Sequence, residues 1–81
     1  MLGLSFLVHT HLGIWLGTVT NQDRTHATLD ACSWVVDQGR MGECVTTGSI
    51  LESEYLGNGV RVPIAGSIFV PWRHDLPTVT I

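Results

Sequence analysis

Apolar and polar positions alternate with a period of two along much of this chain. Across Thr25 to Asp30, Thr25, Ala27 and Leu29 share one side, and His26, Thr28 and Asp30 share the other. That is the pattern of a half-buried strand. Val60, Val62 and Ile64 alternate with Arg61 and Pro63, and after Ala65-Gly66-Ser67 the alternation resumes as Ile68, Val70 and Trp72. Phe6 to Thr10 and Gly13 to Thr20 are two further strand-length blocks, rich in Val, Ile, Thr, Leu and Trp. Asn21 to Arg24 is polar and turn-forming, so the second and third strands form a hairpin. Pro63 and Pro71 mark edges or strand ends, because proline brings no amide to a ladder.

Between these strands the pattern changes. Ala31 to Val36 is an apolar block that ends at Asp37-Gln38-Gly39-Arg40. Asp37 is a candidate helix N-cap, and a short helix is expected from about Gln38 to Thr47. Met41, Cys44 and Val45, spaced i, i+3, i+4, would face the core together, and Gly48 stands where a glycine stops a helix. Ser49 to Leu56 fits neither period. Gly57-Asn58-Gly59 is a strong turn signal. Five short strands, one helix in a connection and frequent turn glycines predict a mainly β fold. The expected form is a small, strongly bent antiparallel barrel of the SH3-like or Sm-like class, with Gly17 and Gly66 as its bends. Residues 1–81 read as one domain, with 1–5 and 75–81 as flexible or intersubunit segments.

Composition adds constraints. The chain has 81 residues, 44% hydrophobic and 14% charged, which excludes disorder. Its two cysteines make at most one bridge, which excludes a disulfide scaffold. A chain of this size buries only ~60% of its unfolded surface, so oligomerisation is expected to cover the remaining apolar area. The formal charge is 4 − 7 = −3, and all four cations are arginines: Arg24, Arg40, Arg61 and Arg73. That balance argues against generic nucleic-acid binding. Arginine nevertheless suits selective, bidentate recognition of phosphate. No apolar run approaches the ~20 residues of a membrane span. The N-terminal residues lack a positive region and a cleavage site, so no signal peptide is expected. A reducing compartment follows, with Cys32 and Cys44 as buried free thiols.

Several segments together resemble a known family. They are Gly17-Thr18-Val19, Thr28 through Arg40, Val60-Arg61-Val62-Pro63-Ile64 and Ile68-Phe69-Val70-Pro71-Trp72. In this order, over roughly residues 8 to 74, the chain resembles an uncharacterised family of small phage-associated proteins. In that family a β-hairpin leads to an apolar block, a short helix and a closing strand. The resemblance implies a phage protein acting in the cytoplasm of an infected bacterial host. By analogy of lifestyle it suggests the oligomeric sponges with which phages sequester host nucleotide signals.

The candidate chemistry is sparse. His9 and His11, placed in one strand, and His26 from another would make a three-histidine metal site, against a reading as exposed edge histidines. Cys32, Cys44 and Ser33 lack the context of a nucleophile, and Glu52 and Glu54 read as a solvated strand edge. No enzyme and no cofactor is expected. The remaining group is aromatic plus arginine. Trp34 or Trp72 would stack on a base, and Arg40, Arg61 or Arg73 would pair with phosphate. Against this, Trp72 reads as core, Trp34 as core or interface, and Arg40 as a surface cation. The leading expectation is a non-enzymatic homo-oligomer binding a nucleotide-derived small molecule between subunits. The alternative is a structural or adaptor module, as a virion component or host-protein inhibitor. An Sm-like RNA-binding ring ranks lower, because the chain is acidic.

Overall fold

The computed structural model describes residues 2–77. Six antiparallel strands form one sheet. They are β1 (Ser5–Thr10), β2 (Gly13–Gln22), β3 (His26–Asp37), β4 (Glu52–Gly57), β5 (Val60–Pro63) and β6 (Ile68–Pro71). A short helix, α1 (Met41–Thr47), connects β3 to β4. The strand order is β4-β3-β2-β1-β6, and β5 pairs the other half of β3. The mainly β architecture matches expectation, with one more strand. The expected barrel is not closed: among the described residues no ladder joins β6 to β4 or β5.

Each face of this sheet carries a core, which explains the unbroken apolar runs in its middle strands. On the first face, Phe6, Val8, Val19, Leu29, Cys32 and Val62 form one core, flanked by Trp15, Val60 and Phe69. On the second, Leu7, Leu16, Val35, Cys44 and Trp72 form another, flanked by Ile14, Ile50, Val70 and Leu76. Phe6-Leu7-Val8 therefore divides between two cores. Cys44 brings α1 onto the second face. The segment after β6 crosses that face too: Trp72 Nε1 donates to the Asp75 carbonyl at 3.3 Å, and Ser33 Oγ donates to the Pro77 carbonyl. Residues 75–77 of the expected flexible tail thus lie against the sheet, and residues 78–81 fall outside the described part.

β3 is twice the expected length. Its alternation changes phase at Ala31, where Ala31 and Cys32 together oppose Gly17 in a bulge. Ala31 has φ 49°, unusual for a side chain other than glycine. Two reciprocal hydrogen bonds hold it there. Ala31 N–H donates to Asn58 Oδ1 and Gly59 N–H donates to Asp30 Oδ1, both at 2.9 Å. Gly57-Asn58-Gly59 is therefore not a chain reversal. It is a corner between β4 and β5, which pair consecutive halves of β3 in the same sense.

The helix begins at Met41, not Gln38, because Gly39 adopts φ 71° and interrupts any helical path through it. Asp37 Oδ1 accepts the Gly39 N–H in a local turn, and Arg40 occupies the N-cap position without a side-chain bond. Gly48 ends the helix at φ 76°, as expected. Cys44 is buried and Val45 half-buried, but Met41, in the first turn, stays 41% exposed.

Cys32 and Cys44 are free and buried in different cores. Burial pushes the Cys32 thiol up to about 12 and raises that of Cys44. Neither forms much thiolate at neutral pH, and thiolate is the reactive form. A thiol reagent is expected to label both only on unfolding, at rates that rise with urea. Labelling of the native protein as fast as of a free thiol would contradict this burial.

Candidate functional site

The first face is closed at one end of the sheet and open at the other. Past the bulge, Trp34 and Val36 of β3 and Leu56 of β4 are 40%, 47% and 44% exposed. Register places them on one side. Trp15, Trp34 and Glu54 lie directly across from one another on β2, β3 and β4. Glu52 alternates with the buried Ser53 onto this side, and the two register shifts bring the others: Val36 joins Asp37 opposite Glu52, and Leu56 joins Gly57 opposite Cys32. Gly13 makes room here: its φ is 149°, and a Cβ on it would stand 3.0 Å from Trp34 Nε1. Large apolar side chains thus meet the carboxylates of Glu52 and Glu54, with Asp37 opposite Glu52. Among the described residues the ion pair is Arg61–Asp23, so no cation covers these carboxylates.

A second locus lies between the ends of β1 and β6. A 340 Å³ cavity is lined by Leu4, Ser5, Phe6, Pro71, Trp72 and Arg73. Arg73 is exposed at this apolar hollow, while Trp72 is only 5% exposed and belongs to the second core. Trp72 also makes an edge contact with His74, whose Nε2 lies 2.8 Å from the Val45 carbonyl.

The remaining candidates stand apart. Arg40 is exposed at the start of α1. Arg61 is exposed and bonds Asp23 at 2.7 Å across the β2–β3 turn. His9, on β1, bonds Gln38 Oε1 through Nε2 at 2.9 Å. His11 lies in the β1–β2 turn, beyond the strand that was expected to align it with His9. His26 contacts Thr25 Oγ1 through Nδ1. Among the described residues no three metal-ligating side chains converge, so the histidine trio does not assemble. Of the five proposed ligand residues, Trp72 and Arg73 line this cavity together, and Trp34, Arg40 and Arg61 lie outside it.

Asp23 organises the β2–β3 turn. Its Oδ1 accepts the N–H groups of Thr25 and His26, each at 2.8 Å, and the Thr25 hydroxyl. The Thr25 and His26 amides, ahead of Arg61, hold its carboxyl down at about 2, below its ordinary 3.8. The folded value is depressed, so the stabilisation is complete above about 4 and is lost as pH falls through about 2. Carboxyl NMR titration is expected to find this low midpoint, and Arg61→Ala is expected to preserve most of the depression. A return to the ordinary value in that variant would make the ion pair the cause.

Sequence reasoning found Trp34 but not its neighbours. Val36 and Leu56 sit at register shifts of the β3–β4 ladder, where simple alternation fails. Glu52 and Glu54 were visible as a shared strand face, and only the fold brings that face beside Trp34. No helix among the described residues is long and apolar enough to cross a membrane. No family model, no curated protein and no solved structure matches the chain.

Proposed function

We propose that the chain is a non-enzymatic protein-interaction module that presents the Trp34–Val36–Leu56 side of its sheet to another protein. The observation that carries this reading is the exposure of three large apolar side chains on one face whose other end is closed by core packing. Clustered apolar exposure of this kind marks interaction surfaces, and tryptophan is enriched at their energetic centres. The burial of both thiols, with their ionisation suppressed, favours binding over nucleophilic catalysis. The resemblance to small phage-associated proteins makes a virion component or an inhibitor of a host cytoplasmic protein the fitting role. The test is capture of a partner by immobilised wild-type chain and by Trp34→Glu, with thermal unfolding measured for both. Loss of capture with an unchanged melt supports the reading, and equal capture overturns it.

A second reading is favoured by the cavity beside Arg73. There a nucleotide-derived anion would rest against Phe6 and Pro71 and pair with the guanidinium. Sequestration of this kind would complete the site with a second copy, whether by closing the barrel or by joining open sheet edges. Native mass spectrometry of the purified protein, with light scattering, tests it. An oligomer carrying a small anion that Arg73→Ala loses is the expected result. A ligand-free monomer with no thermal shift across a panel of cyclic nucleotides and ADP-ribose derivatives rejects it.

A further inference from the structure

We infer that the occupant of the Trp34 face is an extended basic segment of another protein, added as a strand to the free edge of β4. This rests on the interaction-module reading above and names the partner's chemistry. Among the described residues β4 stands last in the sheet and pairs β3 alone. Its outer row of amides and carbonyls is therefore open to a new strand. The six residues Glu52–Gly57 contain no proline and offer ~20 Å of edge.

The side chains along that edge specify what should lie beside them. Glu54 lies opposite Trp34, and the exposed Glu52 and Leu56 flank it on that open face by register, while Ser53 is buried opposite Val35 on the other side. Directly opposed side chains on neighbouring strands interact, and opposite charges there are favourable. An antiparallel partner therefore reads apolar-x-cation-x-cation, with the apolar residue against Leu56 and the cations against Glu54 and Glu52. Asp37, opposite Glu52, reinforces the second cation.

The same charges argue against a second copy of this chain on the edge. Two β4 strands paired antiparallel would gather four carboxylates on one small face. Among the described residues the other edge strands do not meet the need: β6 is Ile-Phe-Val-Pro and supplies no cation, and β5 supplies Arg61 alone, which already pairs with Asp23. Three half-exposed apolar side chains also fall well short of the ~800 Å² per partner of a stable interface. Main-chain pairing along an edge makes up that difference for a peptide.

The probe is a capped seven-residue peptide, Ser-Ile-Thr-Arg-Thr-Arg-Ser, titrated into the full chain and followed by amide NMR and indole fluorescence. Shifts are expected at residues 52–57 and at the Trp34 indole. A peptide with glutamate in place of both arginines should bind at least about tenfold more weakly. Glu52→Gln with Glu54→Gln should weaken the basic peptide about tenfold, and added salt should weaken it too. Methylating alternate peptide amides should abolish binding without touching the protein's fold. Equal binding of the basic and acidic peptides, or shifts that bypass β4, overturns the proposal. A dimer whose interface shifts map to β4 overturns it as well. If the peptide fails while Trp34-dependent capture persists, strand addition falls and the module reading stands. If that capture is also absent, both fall.

Discussion

Trp72→Ala is expected to remove about 3–5 kcal/mol of stability, whereas Trp34→Ala is expected to remove about 1–2 kcal/mol. The two tryptophans look alike in sequence and differ in place. Trp72 is 5% exposed and packs into the second core, where it meets Leu7, Leu16, Val35 and Cys44. Its backbone N–H donates to the Ser5 carbonyl, and its ring touches His74. Truncation would hollow out the core and loosen the covering segment together. An 81-residue chain holds on the order of 4–12 kcal/mol in total, so the variant would keep little of it. Thermal unfolding should show a fall of at least ~12 °C, at ~4 °C or more per kcal/mol. A Trp72→Ala melt within a few degrees of wild type would mean that the second face is not packed as described. Trp34, 40% exposed on the open face, has less burial to lose, so its replacement reads binding at a smaller cost to the fold.

Gly17→Ala should also be damaging, at about 1–3 kcal/mol. Gly17 lies across from the bulge in β3. A Cβ there would stand 3.0 Å from the Asp30 carbonyl oxygen, 3.1 Å from Leu29 Cβ and 3.2 Å from Cys32 Cα. Two of those atoms are backbone and the third is the root of a side chain, so none can rotate away. The methyl group must push β2 off the bulge. Gly66→Ala is the informative partner. Gly66 has φ 70° with nothing within 4 Å of an added Cβ, so it should cost about 1 kcal/mol from backbone strain alone. Urea midpoints of the two variants measure the difference. Equal shifts would show that the close approach at Gly17 is absorbed without effect.

These glycines also show how far the sequence could be read. Strand-length blocks were legible: β1 and β2 from their residue types, and β5 and β6 from their alternation, stand close to where they are expected. β3 was read as ending at Asp30, because its inward positions are Ala27 and Leu29 before the bulge, but Cys32 after it. One extra residue makes a continuous strand look like two unrelated segments. Glycine in the corner at Gly57 to Gly59 carries the same signal as a reversal, and only pairing along β3 distinguishes them. For the candidate site, residue type pointed to Trp34, Trp72 and the arginines. Their separation follows from strand order: β3 and β6 lie on opposite sides of β1 and β2. The acidic–apolar face on β4 depends on two register shifts that no periodicity encodes.

The strand order has a further consequence, for the sequence of events during synthesis. β1, β2 and β3 are neighbours both along the chain and in the sheet, so each pairing closes a short loop and needs little ordering entropy. The partner on the other side of β1 is β6, some sixty residues later, with Phe6 facing Pro71 across the ladder. Pairings that distant in sequence form slowly. A nascent chain can therefore build its three-stranded meander early while one edge of β1 still waits for its neighbour. That edge carries Leu7 and Val8, which are fully buried in the finished protein. Until residues 68–72 emerge, a strand with two fully buried side chains is open along one side, and it is there that a chaperone or a wrong partner would find the growing chain.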